Sequence, residues 1–187
     1  MKFLCWNIRG FKDLGRRRQL IYYIRQEEID IVGLQETIRQ DFSIQELQGL
    51  SQHLFAWQWL PTIGLSGGIL LGGREDLFSV EDMERGEFFV SMSITGRRRN
   101  LSWEVTIVYG PADHGWSTDF LDEPKDKVEH CTTPVVVAGD FNLIRKEAEK
   151  SSPNIDRLCM CLFNDCIADL ALREIACVGA RFTWTNK

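Results

Sequence analysis

Short apolar runs that lead into a polar side chain are the dominant hydrophobic pattern of this chain. Such runs, rich in β-branched and other apolar residues, predict strands that are buried on both faces. Three of them span Lys2–Ile8, Ile29–Gln35 and Val135–Ala138. The first strand ends at Asn7, the second leads into Glu36, and the third leads through Gly139 to Asp140.

The middle of the chain predicts more strands, with helical patterns around them. Leu20, Ile21 and Ile24 predict a helix over Gly15–Glu28, and the polar residues 37–51 predict helix or loop. Further strands, of which the last three form an antiparallel series, are predicted at His53–Leu60, Gly67–Leu71, Leu77–Met83, Phe88–Ile94 and Leu101–Tyr109. This order predicts a mixed α/β sandwich with sheets inside and helices outside.

The last third of the chain is less regular. Residues 110–133 contain Pro124, which argues against a continuous helix there. An apolar stripe over residues 155–170 predicts the clearest helix, with Ser152 as its N-cap and Pro153 in its first turn. Two short strands are predicted after it, at Leu172–Cys177 and Arg181–Thr185.

Length and composition indicate one ordinary globular domain. The chain has 187 residues, of which 44% are hydrophobic and 26% charged. Its six cysteines include no CxxC pair and are interpreted as core residues of a reduced protein. No apolar run approaches the roughly 20 residues of a membrane span and the N-terminus lacks a signal-peptide pattern, which predicts a nuclear or cytoplasmic protein without a membrane partner.

The charge pattern narrows the classes of function. A net charge of −5 argues against a protein that coats nucleic-acid phosphates, but it allows an acidic site that acts on a phosphate through a metal ion. Positive charge is clustered in two runs, Arg16–Arg18 and Arg97–Arg99. Each run fits either a solvated turn or a set of phosphate contacts.

The polar residues at the strand ends are the candidate site. Each has an ordinary alternative: Asn7 as a turn cap, Glu36 paired with an arginine, Tyr109 packed at a strand end, and Asp140 closing its strand in an Asx-turn. Neighbouring strand ends lie side by side in a sheet, so together with Asn142 they are expected to converge. Carboxylate and amide oxygens form a site of the kind that Mg²⁺ prefers, with Mn²⁺ as an alternative. Such a site suits metal-assisted hydrolysis of a phosphoester.

Five short motifs in register resemble a known family. They are CWNIRG at 5–10, LQET at 34–37, SGGILL at 66–71, VYGP at 108–111 and GDFN at 139–142. In order and spacing they resemble the endonuclease/exonuclease/phosphatase superfamily. With FNLI and GARFTWTN at 179–186, the chain is most similar to the apurinic-type endonuclease domain of plant non-LTR (LINE-type) retrotransposons. The resemblance implies a DNase I-like, four-layer α/β sandwich of two packed mixed β-sheets flanked by helices, over a single domain, 1–187.

The resemblance also implies roles for individual residues. Glu36 resembles the principal Mg²⁺ ligand, assisted by Asn7, and Tyr109 the tyrosine that contacts the phosphate. Asp140 resembles the carboxylate that orients or activates the attacking water, and Asn142 the amide that steadies the charged transition state. Phe182 and Trp184 match an aromatic strand beneath the site.

The implied substrate is chromosomal DNA, nicked on one strand to give a 3′-OH that primes reverse transcription. The implied enzyme is a monomeric domain, with a reverse transcriptase once fused to it as an open alternative. The arginines that would contact the DNA backbone are Arg16, Arg17, Arg97, Arg98 and Arg99.

One departure from the family pattern leaves alternatives open. Family members continue to a further aspartate and a final Ser-Asp-His strand, whereas this sequence ends at Lys187. The domain is therefore expected to be incomplete, missing its C-terminal strands. Its three histidines, His53, His114 and His130, are expected at the surface. The alternatives are a catalytically inactive, truncated remnant, or a phosphatase of the same superfamily that acts on a small phosphomonoester or an inositol phosphate.

Overall fold

The computed structural model describes residues 1–64, 67–113, 115, 117–150, 154–176 and 178. Contacts between residues divide the chain into two units. The first unit comprises Met1–Tyr109 with His130–Asp140, and the second comprises Gly110–Glu129 with Phe141–Lys187. Within the described residues, no helix combines the length and the apolar composition that a membrane crossing requires.

The first unit contains two four-stranded mixed sheets. The first sheet has the order β1-β2-β4-β3, built from β1 (Phe3–Asn7), β2 (Ile31–Gln35), β3 (Phe55–Leu60) and β4 (Ile69–Arg74). The second has the order β5-β6-β7-β8, built from β5 (Phe78–Arg85), β6 (Phe89–Gly96), β7 (Ser102–Tyr109) and β8 (Val135–Asp140). One parallel pair occurs in each sheet, β1 with β2 and β7 with β8, and the other pairs are antiparallel.

Apolar side chains from both sheets form one core between them. Ile31 and Leu71 of the first sheet belong to the same buried cluster as Met92 and Ile107 of the second. The sheets approach each other closely at Gly33 of β2, where a Cβ atom would lie 2.5 Å from Ile107 Cδ1. Because such packing leaves no room for a shift, the two sheets have one register relative to each other.

Two helices cover the other face of the first sheet. These are α1 (Leu14–Gln26), capped by Asp13, and α2 (Ile44–Gln48), which begins with a capping box between Ser43 and Glu46. Their buried side chains and those of the first sheet form a second core, which includes Leu20, Ile24, Leu34, Leu47 and Leu70. The first unit is therefore a helix layer over two packed sheets.

The second unit consists mainly of α3 (Ser117–Glu129) and α4 (Arg157–Asp169), with a short 3-10 helix at Glu147–Glu149. The rings of Phe120 and Phe163 pack against Phe141, with ring centroids 6.2 Å and 4.9 Å from that of Phe141. Lys125 Nζ of α3 donates to Asp169 Oδ2 of α4 at 2.6 Å.

The structure confirms the predicted α/β fold class of two packed mixed sheets with helices. The antiparallel series and the helix after the third apolar run are also confirmed, although α4 begins at Arg157 with Asp156 as its N-cap. Some predictions fall on residues outside the described ones. These residues are His114, Ser152, Pro153, Cys177 and Arg181–Thr185, which includes Phe182 and Trp184. Of the histidines, His53 and His130 are exposed, as predicted.

Four predictions about local structure are wrong. The segment with Pro124 forms α3, because packing on α4 compensates for the one helix hydrogen bond that proline cannot donate. Residues Leu172–Ala176 form no strand. Strand β8 is half-buried along its length and Cys5 is exposed, because both β8 and β1 are edge strands within the described part of the sheets. Cys161 of α4 is exposed too, so the interpretation of the cysteines as core residues fails for both.

Candidate active site

The two parallel strand pairs bring the predicted polar side chains together in the first unit. Asn7 at the end of β1 is paired with Gln35, directly before Glu36. At the end of the other pair, Tyr109 of β7 lies opposite Asp140 of β8. Side chains at the carboxyl ends of adjacent parallel strands share one edge of a sheet. The structure therefore has polar side chains at the ends of neighbouring strands, as the sequence predicts.

Asn7 is the centre of the hydrogen bonds that join these residues. Its Nδ2 donates to Glu36 Oε1 and to Asp140 Oδ2, each at 2.8 Å. The hydroxyl of Tyr109 donates to the same Glu36 oxygen at 3.1 Å. Four of the five predicted catalytic and metal-binding residues thus form one half-buried cluster.

Two carboxylates that share one amide donor fit a hard divalent cation. A divalent cation that contacted both carboxylates would be attracted by both charges. Among the described residues no group of three or more His, Cys, Asp or Glu side chains could hold a metal. An ion held by Glu36 and Asp140 would therefore keep several water or phosphate oxygens as ligands, which is usual for Mg²⁺. Asn7 would have to turn its amide to offer oxygen, since its Oδ1 now accepts from Arg9 N at 3.3 Å.

The backbone of Glu36 is strained and held from both sides. Its φ of 50° lies in the left-handed region, which costs a non-glycine residue about 1–3 kcal/mol and persists only where neighbours enforce it. Gly10 N donates to the carbonyl of Glu36 at 2.7 Å. On the other side, Thr37 N donates to Gly68 O at 3.1 Å.

The two glycines of the SGGILL motif complete this arrangement, and sequence reasoning assigned them no role. Gly67 and Gly68 have φ values of 88° and 86°. A Cβ on Gly68 would lie 2.5 Å from Thr37 Oγ1, so only glycine lets the chain pass beside Thr37. The paired glycines before a strand were the signal for such a close approach.

A second glycine requirement lies directly before Asp140. Gly139 has a φ of 146°, and a Cβ there would overlap the backbone of Val108. Val108 and Gly139 are partners in the β7–β8 ladder, next to the Tyr109–Asp140 pair. Gly139 therefore sets how closely these two site residues approach.

Asn142 belongs to the second unit. Its Nδ2 donates to Gly110 O at 2.7 Å, and its φ of 50° also lies in the left-handed region. The hydrogen bond ties GDFN to the glycine of VYGP. The role of Asn142 in charge stabilisation stays a prediction.

The two predicted arginine runs lie at opposite ends of the first unit. Arg16 Nη1 donates to the carbonyl of Arg9, two residues after Asn7. Arg17 pairs with Glu46 at 3.6 Å and lies over the ring of Phe11. The exposed Arg97, Arg98 and Arg99 occupy the turn between β6 and β7, at the end of β7 remote from Tyr109. The seven residue-to-residue steps of the eight-residue strand β7 separate its two ends by about 24 Å.

The site is a cluster of two carboxylates, an amide and a phenol at the strand ends of two packed mixed sheets. Comparison with known proteins gives the family. The chain belongs to the endonuclease/exonuclease/phosphatase family, which it matches over residues 4–187. It is also 25% identical to an exodeoxyribonuclease of Bacillus subtilis (strain 168) over 179 residues. That match covers 84% of this chain but 64% of the relative, so the chain spans less than two thirds of that protein's length.

Solved structures of low sequence identity share the fold. An AP endonuclease from Archaeoglobus fulgidus superimposes with a TM-score of 0.72 at 14% identity, covering 90% of this chain and 70% of its own. The 3′ phosphatase NExo from Neisseria gives 0.66 at 17% identity, covering 91% of this chain and 71% of its own. These likenesses support the two-sheet architecture.

Proposed function

We propose that this chain is a metal-dependent phosphodiesterase domain of the LINE-retrotransposon type, comprising residues 1–187, which nicks DNA. The observation that carries the proposal is the convergence of Glu36, Asp140 and Tyr109 on Asn7 at the strand ends. Carboxylate oxygens gathered beside an amide and a phenol are the kind of donor set that a hard divalent cation takes.

Each residue has a chemical task in this proposal. Glu36 and Asp140 would hold Mg²⁺ or Mn²⁺, assisted by Asn7 once its amide has turned, and the bound ion would polarise the phosphoryl oxygens. Asp140 orients the attacking water and accepts its proton. The hydroxyl of Tyr109 donates to a non-bridging phosphate oxygen, and Asn142 donates to the charge that develops on the phosphoryl group. Breaking the P–O3′ bond leaves a 3′-OH and a 5′-phosphate.

The substrate assignment rests on likeness. The Bacillus subtilis relative is an exodeoxyribonuclease, which supports DNA as the substrate. FNLI followed by GARFTWTN at 179–186 favours the retrotransposon branch, in which a nick in chromosomal DNA supplies a 3′-OH primer. We propose that the domain acts as a monomer in the nucleus or cytoplasm. An ancestral fusion to a reverse transcriptase is part of this proposal.

The test is nicking of supercoiled plasmid by the full chain, with Mg²⁺ and with EDTA. We expect conversion to open circle that requires Mg²⁺ and is lost in Asp140→Asn. The matched control is Asp82→Asn, which removes an exposed carboxylate from β5 of the same sheet and should leave nicking unchanged.

Two other outcomes would point to the alternatives. No nicking by a folded preparation would favour a remnant without hydrolase activity. Release of phosphate from a 3′-phosphorylated oligonucleotide without plasmid nicking would favour a phosphatase.

A further inference from the structure

Helix α1 is strongly basic on a chain that is acidic overall. Its sequence, LGRRRQLIYYIRQ, contains four arginines and no acidic residue, while the whole chain carries a net charge of −5. Three of the four make contacts within the fold: Arg17 pairs with Glu46, Arg25 donates to the carbonyl of Gly49, and Arg16 Nη1 donates to the carbonyl of Arg9. Arg16 and Arg18 lie in the first turns of the helix, where positive charge opposes the helix dipole.

Aromatic side chains accompany these arginines on the exposed side of α1. Tyr22 is 61% exposed and Tyr23 is 36% exposed. Their rings contact each other at a centroid distance of 6.0 Å, and Tyr23 meets the partly buried Trp6 edge to face at 6.3 Å. Gln19 Nε2 donates to the Tyr23 hydroxyl at 3.2 Å, which fixes the direction of that ring. We name Trp6, Arg16, Arg18, Tyr22 and Tyr23 the α1 strip.

The α1 strip begins beside the candidate active site. Arg16, Gln19 and Tyr23 have the spacing i, i+3, i+7 and therefore share one face of the helix, about 10 Å long. Arg18 and Tyr22, with the spacing i, i+4, lie further around the exposed half of the helix, where the ring of Tyr22 contacts that of Tyr23. At one end of this face Arg16 contacts the Arg9 carbonyl, in the loop that follows Asn7. At the other end Tyr23 contacts Trp6 of β1, the strand that carries Asn7.

We propose that the α1 strip binds an unpaired segment of the nucleic-acid substrate. Arginines beside exposed aromatic rings match the two needs of single-stranded nucleic acid, which are phosphate contacts and base stacking. A duplex offers phosphates but keeps its bases stacked inside, so the tyrosines would add nothing to duplex binding. The inference rests on the proposed function, and it gives the substrate class as DNA with unpaired bases next to the nick.

The test compares binding of a fluorescein-labelled single-stranded DNA oligonucleotide and the duplex of the same sequence. Fluorescence anisotropy is measured with the full chain in EDTA, so that no cleavage occurs. We expect Tyr22→Ala/Tyr23→Ala to weaken single-strand binding about tenfold, the usual range for loss of stacking aromatics, with little change for the duplex. Tyr22→Phe/Tyr23→Phe keeps the rings and should retain binding.

Two further variants keep the test decisive. Tyr22→Ala alone removes the most exposed ring, so it should fold and still weaken single-strand binding several-fold. Leu101→Ala removes a side chain that is 59% exposed in the turn remote from the site, and should change neither affinity.

Unchanged single-strand affinity in the alanine variants, or an equal loss on both DNAs, would overturn the inference. The plasmid assay separates the two proposals. If the chain nicks plasmid but the tyrosine variants bind single-stranded DNA as the wild type does, the proposed function stands and the role of the α1 strip is wrong. If binding depends on the tyrosines but no nicking occurs, the role of the α1 strip stands and the proposed function is wrong.

Discussion

The two ends of strand β7 differ in how tightly the surrounding structure constrains the backbone. At its carboxyl end, Tyr109 meets Glu36 in a cluster with strained backbone and close glycine contacts. At its amino end, the turn with Arg97–Arg99 is exposed, and a Cβ on Gly96 would meet nothing closer than 3.6 Å. Asn100 in this turn also has a φ of 50°, but asparagine adopts the left-handed region more readily than glutamate does. Constraint is therefore concentrated at the end where the parallel strands finish.

The same comparison applies to the two arginine runs, which look alike in the sequence. The first run lies near the site end of the unit, where Arg16 of α1 donates to the Arg9 carbonyl in the loop after Asn7. The second lies at the other end, where Arg97 donates to the carbonyl of Glu75. A run of charged residues thus predicts a position on the protein surface, and the topology decides which part of the surface that is.

The largest contrast between the two ends of the second sheet should come from their glycines. Gly139→Ala forces a Cβ into the backbone of Val108, and we expect a loss of about 2–4 kcal/mol in the free energy of unfolding together with loss of nicking. Gly96→Ala meets nothing closer than 3.6 Å and should cost below about 0.5 kcal/mol. Urea unfolding of both variants measures the contrast. Equal losses would mean that the site end is not specially constrained.

A second contrast concerns the glycine beside Thr37. Gly68→Ala should displace Glu36 and reduce nicking at least tenfold, because small misplacements of catalytic groups cost about that much or more. Gly64→Ala is the matched control, since Gly64 also has a positive φ, 68°, but has nothing within 4 Å of its added Cβ. If both variants lose activity alike, backbone strain alone explains the effect and the contact with Thr37 does not.

The arginine runs should differ in their contribution to DNA binding. We expect Arg16→Ala/Arg18→Ala to weaken duplex binding several-fold and to reduce the salt dependence of log Kd by about 2, the value for two lost phosphate contacts. Arg98→Ala/Arg99→Ala should have a smaller effect on both. Anisotropy titrations at several salt concentrations give the slopes. A larger effect of the second pair would place the DNA path at the remote end.

The smallest expected effect concerns Arg17, which we interpret as structural. Its partner Glu46 also accepts two hydrogen bonds from Arg39, at 3.0 Å and 2.9 Å, and these lower the pKa of Glu46 from 4.5 to about 2. A carboxyl with a lowered folded-state pKa stabilises the fold above its unfolded pKa, and this stabilisation disappears as the pH falls from about 4.5 to about 2.

Glu46→Gln should therefore be less stable than the wild type at pH 6, by about 1 kcal/mol, and the difference should shrink towards pH 3. Urea unfolding at both pH values measures it. A difference that stays constant with pH would show that the Glu46 carboxylate is not the source.

The strands and the polar residues at their ends could be predicted from the sequence, because a short apolar run that ends at a polar residue is compatible with few structures other than a buried strand. It could not predict α3, where packing on α4 outweighs the cost of Pro124. It also missed the role of Gly68, because a close approach between segments far apart in sequence has no local pattern beyond the glycine itself. The exposure of Cys5 depends on which strand lies at the sheet edge, and this is a property of topology.

The most direct test of the central claim is binding of Mn²⁺ to the full chain, measured by electron paramagnetic resonance. We predict one bound ion, with affinity reduced at least tenfold in both Glu36→Gln and Asp140→Asn and unchanged in Asp82→Asn. Equal affinity in all four proteins would contradict the claim that the cluster around Asn7 is a metal site.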